Sequence, residues 1–242
     1  MRKDSLSGDF VIYQPDIGQR YSTDDMLTAW LACREFSEKP VSTFLDLGSG
    51  LCSVPMIILW KFKELTGTGI EIRPERRNLG LLSLKENNLL ERFNLLEGNL
   101  AELNIPKKFD AVTSTPPYYD ISEGPLSPHP DKAAARFELK GSIDSYFKTA
   151  SSHIRENGIF ITVYPYQYKE RVYKSAKDSG FSVKKEIDII PREKKPPLIS
   201  LFSLIKNDFT EKTTETLTVR DLSGNYTDEY NKSRVFVGFI AK

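Results

Sequence analysis

The chain has 242 residues, of which 39% are hydrophobic and 28% are charged, a composition that excludes a disordered chain and fits one large α/β domain with additions. Its 34 Lys and Arg nearly balance its 33 Asp and Glu, which leaves a net charge of +1. Overall charge therefore neither identifies nor excludes a nucleic-acid partner, because such binding follows local patches.

The first 40 residues are predicted to form an entry segment ahead of the main domain at 41–242. Ser22-Thr23-Asp24-Asp25 precedes an apolar pattern with helical spacing, so a helix capped near Ser22 or Thr23 is expected.

After Pro40 the pattern alternates between strands and helices. Strands are predicted at 43–47, 67–72, 93–97, 109–114, 159–164, 181–190, 198–205, 216–219 and 235–240. Helices are predicted at 51–64, 74–88, 142–155 and 167–179. This alternation predicts a mostly parallel sheet covered by helices. Residues 119–141 contain Gly124, Pro125, Pro128 and Pro130, and a loop of this length is typically functional or disordered.

A glycine-rich turn, Asp46-Leu47-Gly48-Ser49-Gly50, lies between the first of these strands and its helix. Gly48 and Gly50 permit positive φ and a close approach of the backbone to a ligand. In open α/β sheets, ligands bind at the carboxyl ends of the strands, where this turn is placed. A plain tight turn would explain the glycines equally well, so the turn alone is a weak signal.

The ends of the next two strands strengthen the prediction of a nucleotide-type cofactor. Glu71 follows Asp46 by 25 positions, a spacing that suits an acid on two ribose hydroxyls, although dehydrogenases that use NAD share it. Asn99 follows the third strand, and its amide could hydrogen-bond an adenine edge. On its own, Asn99 would be read as part of a simple turn.

The fourth strand ends in Ser114-Thr115-Pro116-Pro117-Tyr118. An aromatic amino nitrogen is a poor nucleophile, because its lone pair is delocalised into the ring. Two acceptors aimed at its hydrogens, Thr115 Oγ1 and the Pro116 carbonyl, would favour the pyramidal form that attacks a methyl group. The prolines stiffen the turn, and Tyr118 offers a face for stacking a base. Alone the motif would be an extended proline turn, but its place after a cofactor loop favours the functional interpretation.

These motifs together resemble class I S-adenosylmethionine (SAM) dependent methyltransferases that act on amino groups, which carry an Asn/Asp/Ser-Pro-Pro-aromatic motif after the fourth strand. The chain is more closely similar to the bacterial tRNA N6-adenine methyltransferase family that modifies adenosine 37 of valine tRNA. The segments that carry this resemblance are Tyr13-Gln14-Pro15 with Gly18, Arg20 and Thr23-Asp24, then Ala135-Arg136-Phe137-Glu138, 191–197 with Leu201, and 226–230.

The resemblance implies an α/β fold of the Rossmann-like class I methyltransferase type, with a mostly parallel seven-stranded sheet, helices on both faces and the methyltransferase domain at 41–242. It implies SAM as the cofactor, S-adenosylhomocysteine as the product, no metal, and tRNA as the partner. The implied cofactor residues are Asp46, Gly48, Gly50, Glu71, Asn99, Gln14, Arg20 and Asp24; the implied catalytic residues are Thr115, Pro116, Pro117 and Tyr118; the implied substrate residues are Tyr118, Arg136, Arg192, Lys194 and Lys195.

Three positions depart from the family pattern. Thr115 replaces the usual Asn, Asp or Ser, and its methyl group crowds the target amine although its hydroxyl can accept. Cys52 stands where a small residue is common, and Asn99 stands where Asp is usual. A reactive thiol at Cys52 is the less favoured interpretation, because no catalytic partner is evident.

Several alternatives stay open at this point. The target could be an adenine of rRNA or DNA, or a protein glutamine amide, since a planar amide fits the same clamp. An NAD-dependent dehydrogenase would leave the Pro-Pro-Tyr turn without a role. A non-catalytic RNA-binding relative would bind RNA without turnover. A second basic patch, Arg73 with Arg76 and Arg77, could equally be a solvated surface.

The remaining features concern compartment and metal. No apolar run approaches the roughly 20 residues that a membrane helix needs, and the N-terminus leads into no apolar core. Two cysteines, Cys33 and Cys52, require no disulfide framework. His129 and His153 have no partners at metal-ligand spacing. We therefore expect a cytoplasmic protein without membrane contact or metal, and a monomer.

Overall fold

A computed structural model describes residues 1–102, 105–118, 142–208 and 211–241. The strands of this part of the chain are β1 (Arg2–Ser5), β2 (Val11–Gln14), β3 (Thr43–Leu47), β4 (Thr66–Glu71), β5 (Phe93–Glu97), β6 (Phe109–Ser114), β7 (Ile154–Pro165), β8 (Phe181–Ile190), β9 (Ile199–Lys206) and β10 (Thr213–Thr218). The helices are α1 (Thr23–Glu38), α2 (Ser53–Lys61), α3 (Pro74–Glu86), α4 (Ile143–His153), α5 (Lys169–Asp178), which follows a 3-10 turn at Tyr166–Tyr168, and α6 (Asp228–Phe236).

The central sheet has the strand order β10-β8-β9-β7-β6-β3-β4-β5. Strand β9 is antiparallel to both of its neighbours, and the other pairings in the sheet are parallel. The chain adds β4 and β5 on one side of β3 and then crosses back to add β6 and β7 on the other. The carboxyl ends of β3 and β6 therefore border the point where the strand order reverses, which is where such sheets bind ligands.

The described part of the sheet holds eight strands, so the expected number of seven is one too low. The first seven in chain order, β3 to β9, form the mostly parallel sheet predicted from the sequence. The additional strand is β10, which pairs in parallel with β8 and extends that edge of the sheet. The predicted strand at 216–219 belongs to β10, which begins three residues earlier, at Thr213.

The strand predicted at 235–240 is wrong, because the chain there leaves α6, which ends at Phe236. The Thr227 side chain caps this helix by accepting a hydrogen bond from the Tyr230 backbone N–H at 3.2 Å. Tyr230, Ser233 and Val237 are buried. Their spacing of three and four residues is helical, and it overrides the local run of β-forming residues.

Both faces of the sheet are covered by apolar clusters. Phe44 packs in the cluster that includes α1 and α2, whereas its neighbour Leu45 packs in the cluster that includes α4 and α5. This alternation follows from the strand geometry, in which successive side chains point to opposite faces. The prediction of a sheet with helices on both faces is therefore confirmed.

The N-terminal segment is fastened to the sheet layer in a way that the sequence did not predict. Strands β1 and β2 pair as a separate antiparallel hairpin, outside the central sheet. The Val11 N–H donates to Asn87 Oδ1 at 3.0 Å, and the Tyr13 N–H donates to Ser83 Oγ at 2.9 Å. Leu6 and Phe10 belong to the same apolar cluster as the residues of α1 and α2. The segment therefore shares its core with the sheet.

One buried carboxylate on β8 helps to hold the β10 edge of the sheet. Glu186 is fully buried and accepts hydrogen bonds from Lys169 Nζ and Lys212 Nζ at 2.9 Å, and from the Tyr173 hydroxyl. Burial opposes ionisation of Glu186, but these hydrogen bonds and charges outweigh it and lower its pKa to about 2.

We predict that Glu186→Gln lowers the free energy of unfolding at pH 7 by about 3 kcal/mol. Because the pKa of Glu186 is lower in the folded state than its usual 4.5, the stabilisation is complete above about pH 5 and is lost as the pH falls towards 2. Chemical denaturation across this pH range measures the difference. Glu38→Gln, at an exposed partner of Lys184, is the control and should show no such dependence. A constant difference between Glu186→Gln and the wild type at all pH values would contradict the assignment.

Candidate functional site

A cavity of ≈ 480 Å³ opens at the carboxyl ends of β3, β4, β5 and β6, where the strand order reverses. Its volume lies within the range of about 300–1,000 Å³ that is usual for small-molecule sites. The described residues that line it are Gln19, Arg20, Ser22, Asp24, Asp25, Gly48, Ser49, Gly50, Leu51, Ser53, Ile70, Glu71, Ile72, Arg73, Arg76, Gly98, Asn99, Leu100, Thr115, Pro116, Pro117, Tyr118, Tyr146, Pro165, Leu198 and Ile199.

The glycine turn forms one wall of this cavity. Gly48 and Gly50 have φ values of +73° and +55°, which favour glycine. A Cβ atom on Gly48 would lie 2.9 Å from Tyr146 Oη, so a larger residue there would also have to displace the end of this side chain. The Ser49 N–H donates to the Ile70 carbonyl at 2.8 Å, which ties the turn to β4. The structure thus presents the turn that the sequence predicted, with its backbone facing the cavity.

Glu71 at the end of β4 braces the same turn. Its Oε2 accepts from the Gly50 N–H at 2.7 Å, and its Oε1 accepts from the backbone and the side-chain Nε of Arg73 at 2.8 and 3.1 Å. The residue is only 2% exposed but lines the cavity. Oε1 thus already accepts two hydrogen bonds, whereas Oε2 accepts one and has a lone-pair site left, so Glu71 can also accept from a ribose hydroxyl.

Asp46 lies beneath the turn and does not line the cavity. It is buried on β3, and its Oδ1 accepts a hydrogen bond of 2.5 Å from Thr113 Oγ1 on β6. Burial raises the pKa of Asp46 to about 6, although the hydrogen bonds from Thr113 and Ser49 favour its ionised form. Asp46 therefore joins the two central strands under the site. Asp46 does not line the cavity, in contrast to the direct cofactor contact expected from the sequence.

The N-terminus of α1 brings two carboxylates to the opposite wall. Asp25 accepts a hydrogen bond of 2.8 Å from the Ser22 N–H and so caps the helix. Burial raises the pKa of Asp25 to about 6, and it raises the pKa of Asp24 despite a hydrogen bond from Tyr118. The sequence identified Asp24 but not Asp25, although the capping pattern around Ser22 was a usable signal.

The Thr115–Tyr118 turn follows β6 and faces both of these walls. Tyr118 donates its hydroxyl to Asp24 Oδ2 at 2.8 Å, and its ring meets the buried Tyr164 edge-on with centroids 5.9 Å apart. The ring is therefore fixed by contacts to α1 and β7. Tyr164 itself lies in the core.

Two acceptors in this turn are not used elsewhere. Within the described residues, neither Thr115 Oγ1 nor the Pro116 carbonyl takes part in a hydrogen bond, and both residues line the cavity. They are adjacent in the chain, and Pro117 restricts the backbone between them and Tyr118. This arrangement leaves a pair of acceptors available to a ligand amino group next to an aromatic ring.

The other predicted cofactor residues are placed less directly. Gln14 is buried outside the cavity lining, where its amide donates to Asp4 and accepts from the Tyr21 N–H at 3.0 Å. Arg20 lines the cavity but uses Nη2 on the Asp16 carbonyl at 2.7 Å. Gln14 thus joins parts of the entry segment outside the cavity, whereas Arg20 lines the cavity directly.

Asn99 lines the cavity and at the same time closes its own turn. Its Nδ2 donates to Glu102 Oε1 at 2.9 Å, and its Oδ1 accepts from the Ala101 N–H at 3.1 Å. The turn interpretation of Asn99 is therefore correct. An additional contact to an adenine stays a prediction, because Asn99 has a position in the wall from which to make one.

Three of the predicted RNA residues lie in the segment that leads to the cavity wall. Arg192, Lys194 and Lys195 are exposed in the segment between β8 and β9. Leu198 closes this segment, is 63% exposed and lines the cavity. The segment that carries these three charges therefore joins the cavity wall at Leu198. Arg136, the remaining substrate residue, lies outside the described residues, as does its motif at 135–138.

Sequence reasoning missed several residues of the wall. Tyr146 comes from the first turn of α4, and Leu198 is the residue before β9. Arg76, which the sequence indicated only as part of a possible basic patch, comes from α3 and donates to the Gln19 carbonyl at 2.9 Å. Tyr146 could have been found as an aromatic in the first turn of a helix that begins at the carboxyl edge of the sheet. Leu198 gave no signal, because an exposed leucine is common on protein surfaces.

Two negative findings apply to the described ranges only. They contain no group of three or more His, Cys, Asp and Glu placed to hold a metal ion. None of their helices combines the length and the apolar character that crossing a membrane requires. Cys52 is buried, and burial raises the pKa of its thiol, which opposes a reactive thiolate there.

No family model matches the chain. It is 26% identical over 218 residues to a protein of Aliivibrio fischeri named tRNA1(Val) (adenine(37)-N6)-methyltransferase, covering 89% of this chain and 88% of that one. A Shewanella amazonensis protein of the same name is 26% identical over 186 residues, covering 76% of this chain and 78% of its own length. The resemblance to this group of enzymes that the motifs indicated is therefore confirmed, at modest identity.

Solved structures give the fold. A predicted O-methyltransferase from Agrobacterium tumefaciens matches with a TM-score of 0.70 at 18% identity, over 91% of this chain and 99% of that one. A SAM-dependent methyltransferase from Clostridium acetobutylicum matches with a TM-score of 0.55 at 14% identity, over 77% and 93% of the two chains. The chain has the Rossmann-like fold of class I methyltransferases, as predicted.

The buried bond between Thr113 and Asp46 generates a prediction about the base of the site. Thr113→Val removes the donor to a buried carboxylate and should lower the free energy of unfolding by about 2–3 kcal/mol. Thr162→Val is the matched control, because it breaks a buried hydroxyl pair with Ser114 that carries no charge, and should cost about 1 kcal/mol. Urea denaturation at pH 7.5 measures both. Equal losses would show that the Asp46 charge adds nothing to the bond.

Proposed function

We propose that this protein is a SAM-dependent methyltransferase that transfers a methyl group to the exocyclic N6 of an adenine in tRNA, with adenosine 37 as the target position. The observation that carries the proposal is the pair of unused acceptors, Thr115 Oγ1 and the Pro116 carbonyl, beside Tyr118 in the same cavity as the glycine turn. The names of the relatives support methyl transfer to N6 of an adenine and the tRNA substrate.

The backbone and side-chain groups that line the cofactor end of the cavity fit SAM. The backbone of Gly48 and Gly50 lets the methionine part approach closely, and Glu71 can accept from a ribose hydroxyl. Asn99 is proposed to hydrogen-bond the adenine ring of SAM. Asp24 and Asp25 supply negative charge opposite the turn, which suits a sulfonium cation. SAM supplies an electrophilic methyl group, and S-adenosylhomocysteine is the product.

The proposed chemistry rests on the Thr115–Tyr118 turn. Thr115 Oγ1 and the Pro116 carbonyl accept hydrogen bonds from the two N–H groups of the target amine and direct its lone pair towards the methyl group. The N–CH3 bond then forms as the S–CH3 bond of SAM breaks, and the amine releases one proton to solvent. The reaction then needs only correct positioning of two reactants, so no side-chain nucleophile is involved. The methyl group of Thr115 narrows this space compared with the Asn, Asp or Ser that the motif usually carries.

Tyr118 is proposed to stack on the target base once the base has left its helical stack. Its ring position is set by the hydroxyl bond to Asp24 and the edge contact with Tyr164. A ring held from two sides loses little further freedom when a base binds, which strengthens stacking. Asp24 is thus proposed to act on the target side of the cavity as well as on the cofactor side.

The tRNA is proposed to approach across Arg192, Lys194 and Lys195, whose exposed charges adjoin Leu198 at the mouth. Arg136 is proposed to contribute from its loop. We further propose that the enzyme acts as a cytoplasmic monomer, with 1–40 as the entry segment and 41–242 as the methyltransferase domain.

The test is to incubate the protein with methyl-labelled SAM and separate pools of unmodified tRNA, rRNA, DNA and protein, and to identify the labelled product. The proposal expects N6-methyladenosine in tRNA, and mapping should place it at adenosine 37. Label in another pool would move the target to an adenine of rRNA or DNA, or to a glutamine amide. SAM binding without label in any pool would favour the non-catalytic relative and contradict the proposal.

Replacement of Tyr118 separates stacking from cofactor binding. Tyr118→Ala should lower the single-turnover methylation rate by about 10- to 100-fold, because base stacking on an aromatic is worth about 1–3 kcal/mol. Tyr118→Phe keeps the ring but loses the bond to Asp24, so its loss should stay within about tenfold. SAM affinity, measured by calorimetry, should be unchanged in both. Full activity of Tyr118→Ala would overturn the stacking role.

A further inference from the structure

The C-terminal part of the chain holds two arginines against one aromatic ring. The guanidinium carbons of Arg220 and Arg234 lie 4.2 and 5.0 Å from the centre of the Tyr226 ring. Tyr230 meets the same ring edge-on, with centroids 4.9 Å apart. Tyr226 is therefore enclosed by its neighbours and serves as a support for two cations, not as a platform for a base.

Both cations are held in place by main-chain oxygens. Arg220 Nη1 donates to the Gly224 carbonyl at 2.6 Å, and Arg234 Nη2 donates to the Ile240 carbonyl at 2.9 Å. Arg234 Nε is buried and has no hydrogen-bond partner among the described residues. An external acceptor would therefore bind through the Nη groups of Arg234 and through the remaining nitrogens of Arg220. The two side chains are thus oriented in advance, which lowers the entropy cost of binding an external group.

Neither charge is neutralised within the described residues, where no carboxylate forms an ion pair with Arg220 or Arg234. Arg34 provides the contrast, because it lies 5.0 Å from the Trp30 ring centre but also pairs with Glu215 at 3.1 Å. Two like charges fixed on one ring repel each other, so an anion that binds both would relieve the repulsion.

The pair lies at the same edge of the sheet as the cavity. The Val219 N–H donates to the Ile190 carbonyl at 2.8 Å, and the Thr227 N–H donates to the Val219 carbonyl at 3.1 Å. The Glu193 N–H donates to the Arg220 carbonyl at 2.9 Å, which joins this segment directly to the one that contains Arg192, Lys194 and Lys195. Helix α6 also packs on α1, whose N-terminus lines the cavity.

We propose that Arg220 and Arg234, supported by Tyr226, form a phosphate clamp that binds the tRNA backbone next to the target nucleotide. The clamp rests on the proposed function and extends it. Arg220 and Tyr226 lie in the segment that joins β10 to α6, and Arg234 lies on α6. The segment that follows the additional strand of the sheet would therefore serve substrate binding. Arginine suits this role because its planar fork binds phosphate in a bidentate manner.

The experiment measures tRNA affinity against salt concentration for the whole protein, with unmodified tRNA. Loss of two phosphate contacts should reduce the slope of log K against log salt by about 1.4–1.8 in the double variant Arg220→Gln with Arg234→Gln. Between about 50 and 200 mM salt, the variant should therefore lose about tenfold less affinity than the wild type. The corresponding Arg→Lys double variant keeps both charges and should keep most of the slope.

Arg34→Gln is the matched control, because its charge is stacked on an aromatic ring but already neutralised by Glu215. It should leave the slope unchanged. SAM affinity should stay at the wild-type value in all variants, and thermal unfolding shows which of them are folded. If the double glutamine variant does not fold, the single variants are measured instead, and each should lower the slope by about 0.7–0.9.

The outcomes separate the clamp from the proposed function. An unchanged slope in the folded glutamine variants, with tRNA methylation intact in the wild type, overturns the clamp and leaves the proposed function standing. A wild-type protein that binds SAM but neither binds nor methylates tRNA overturns both. A reduced slope in the glutamine variants, together with an unchanged slope in Arg34→Gln, supports the clamp.

Discussion

The reversal of strand order between β3 and β6 is the constraint on which the rest of the structure depends. Parallel strands place their carboxyl ends on one edge of the sheet, and the reversal keeps the chain from covering the gap between these two. The glycine turn after β3 and the Pro-Pro-Tyr turn after β6 then face each other across one cavity. Segments about 65 residues apart in the chain become neighbours because of this geometry.

The floor and walls of that cavity are tied together by buried carboxylates. Asp46 bonds across from β3 to Thr113 on β6, and Glu71 bonds from β4 to the Gly50 backbone. Hydrogen bonds to charged acceptors are stronger than neutral ones, so these two residues fix the relative positions of the turns that matter most. The same groups therefore support the site and, at Glu71, remain available to a ligand.

Segments outside the parallel core complete the site from two directions. The N-terminal hairpin is bonded to α3, and the capped start of α1 brings Asp24 to Tyr118. At the other end of the chain, β10 and α6 add a basic and aromatic surface beside the segment that contains Arg192. The two ends of the chain thus add to a common fold the residues that we propose to bind the substrate. This is expected where function depends on sites added to a shared scaffold.

The candidate site was predictable where one local pattern had one physical meaning. The strand–glycine–helix pattern around Gly48 and the proline turn before Tyr118 required backbone conformations that few other sequences adopt, and both were found in the cavity wall. Tyr146 and Leu198 were not predictable, because their roles depend on which elements pack beside them. Asp46 looked like a direct contact, but strand alternation and its bond to Thr113 place it beneath the turn.

The sequence by itself determined the alternating elements, the two turns that mark the site, and the resemblance that supports the proposed reaction, because these follow from local spacing and backbone preference. The tertiary structure alone decided that residues 235–240 end a helix instead of forming a strand, that β10 joins the sheet, and that two arginines contact the Tyr226 ring. Each of these depends on contacts between residues distant in the chain or on burial, and local propensity does not encode either.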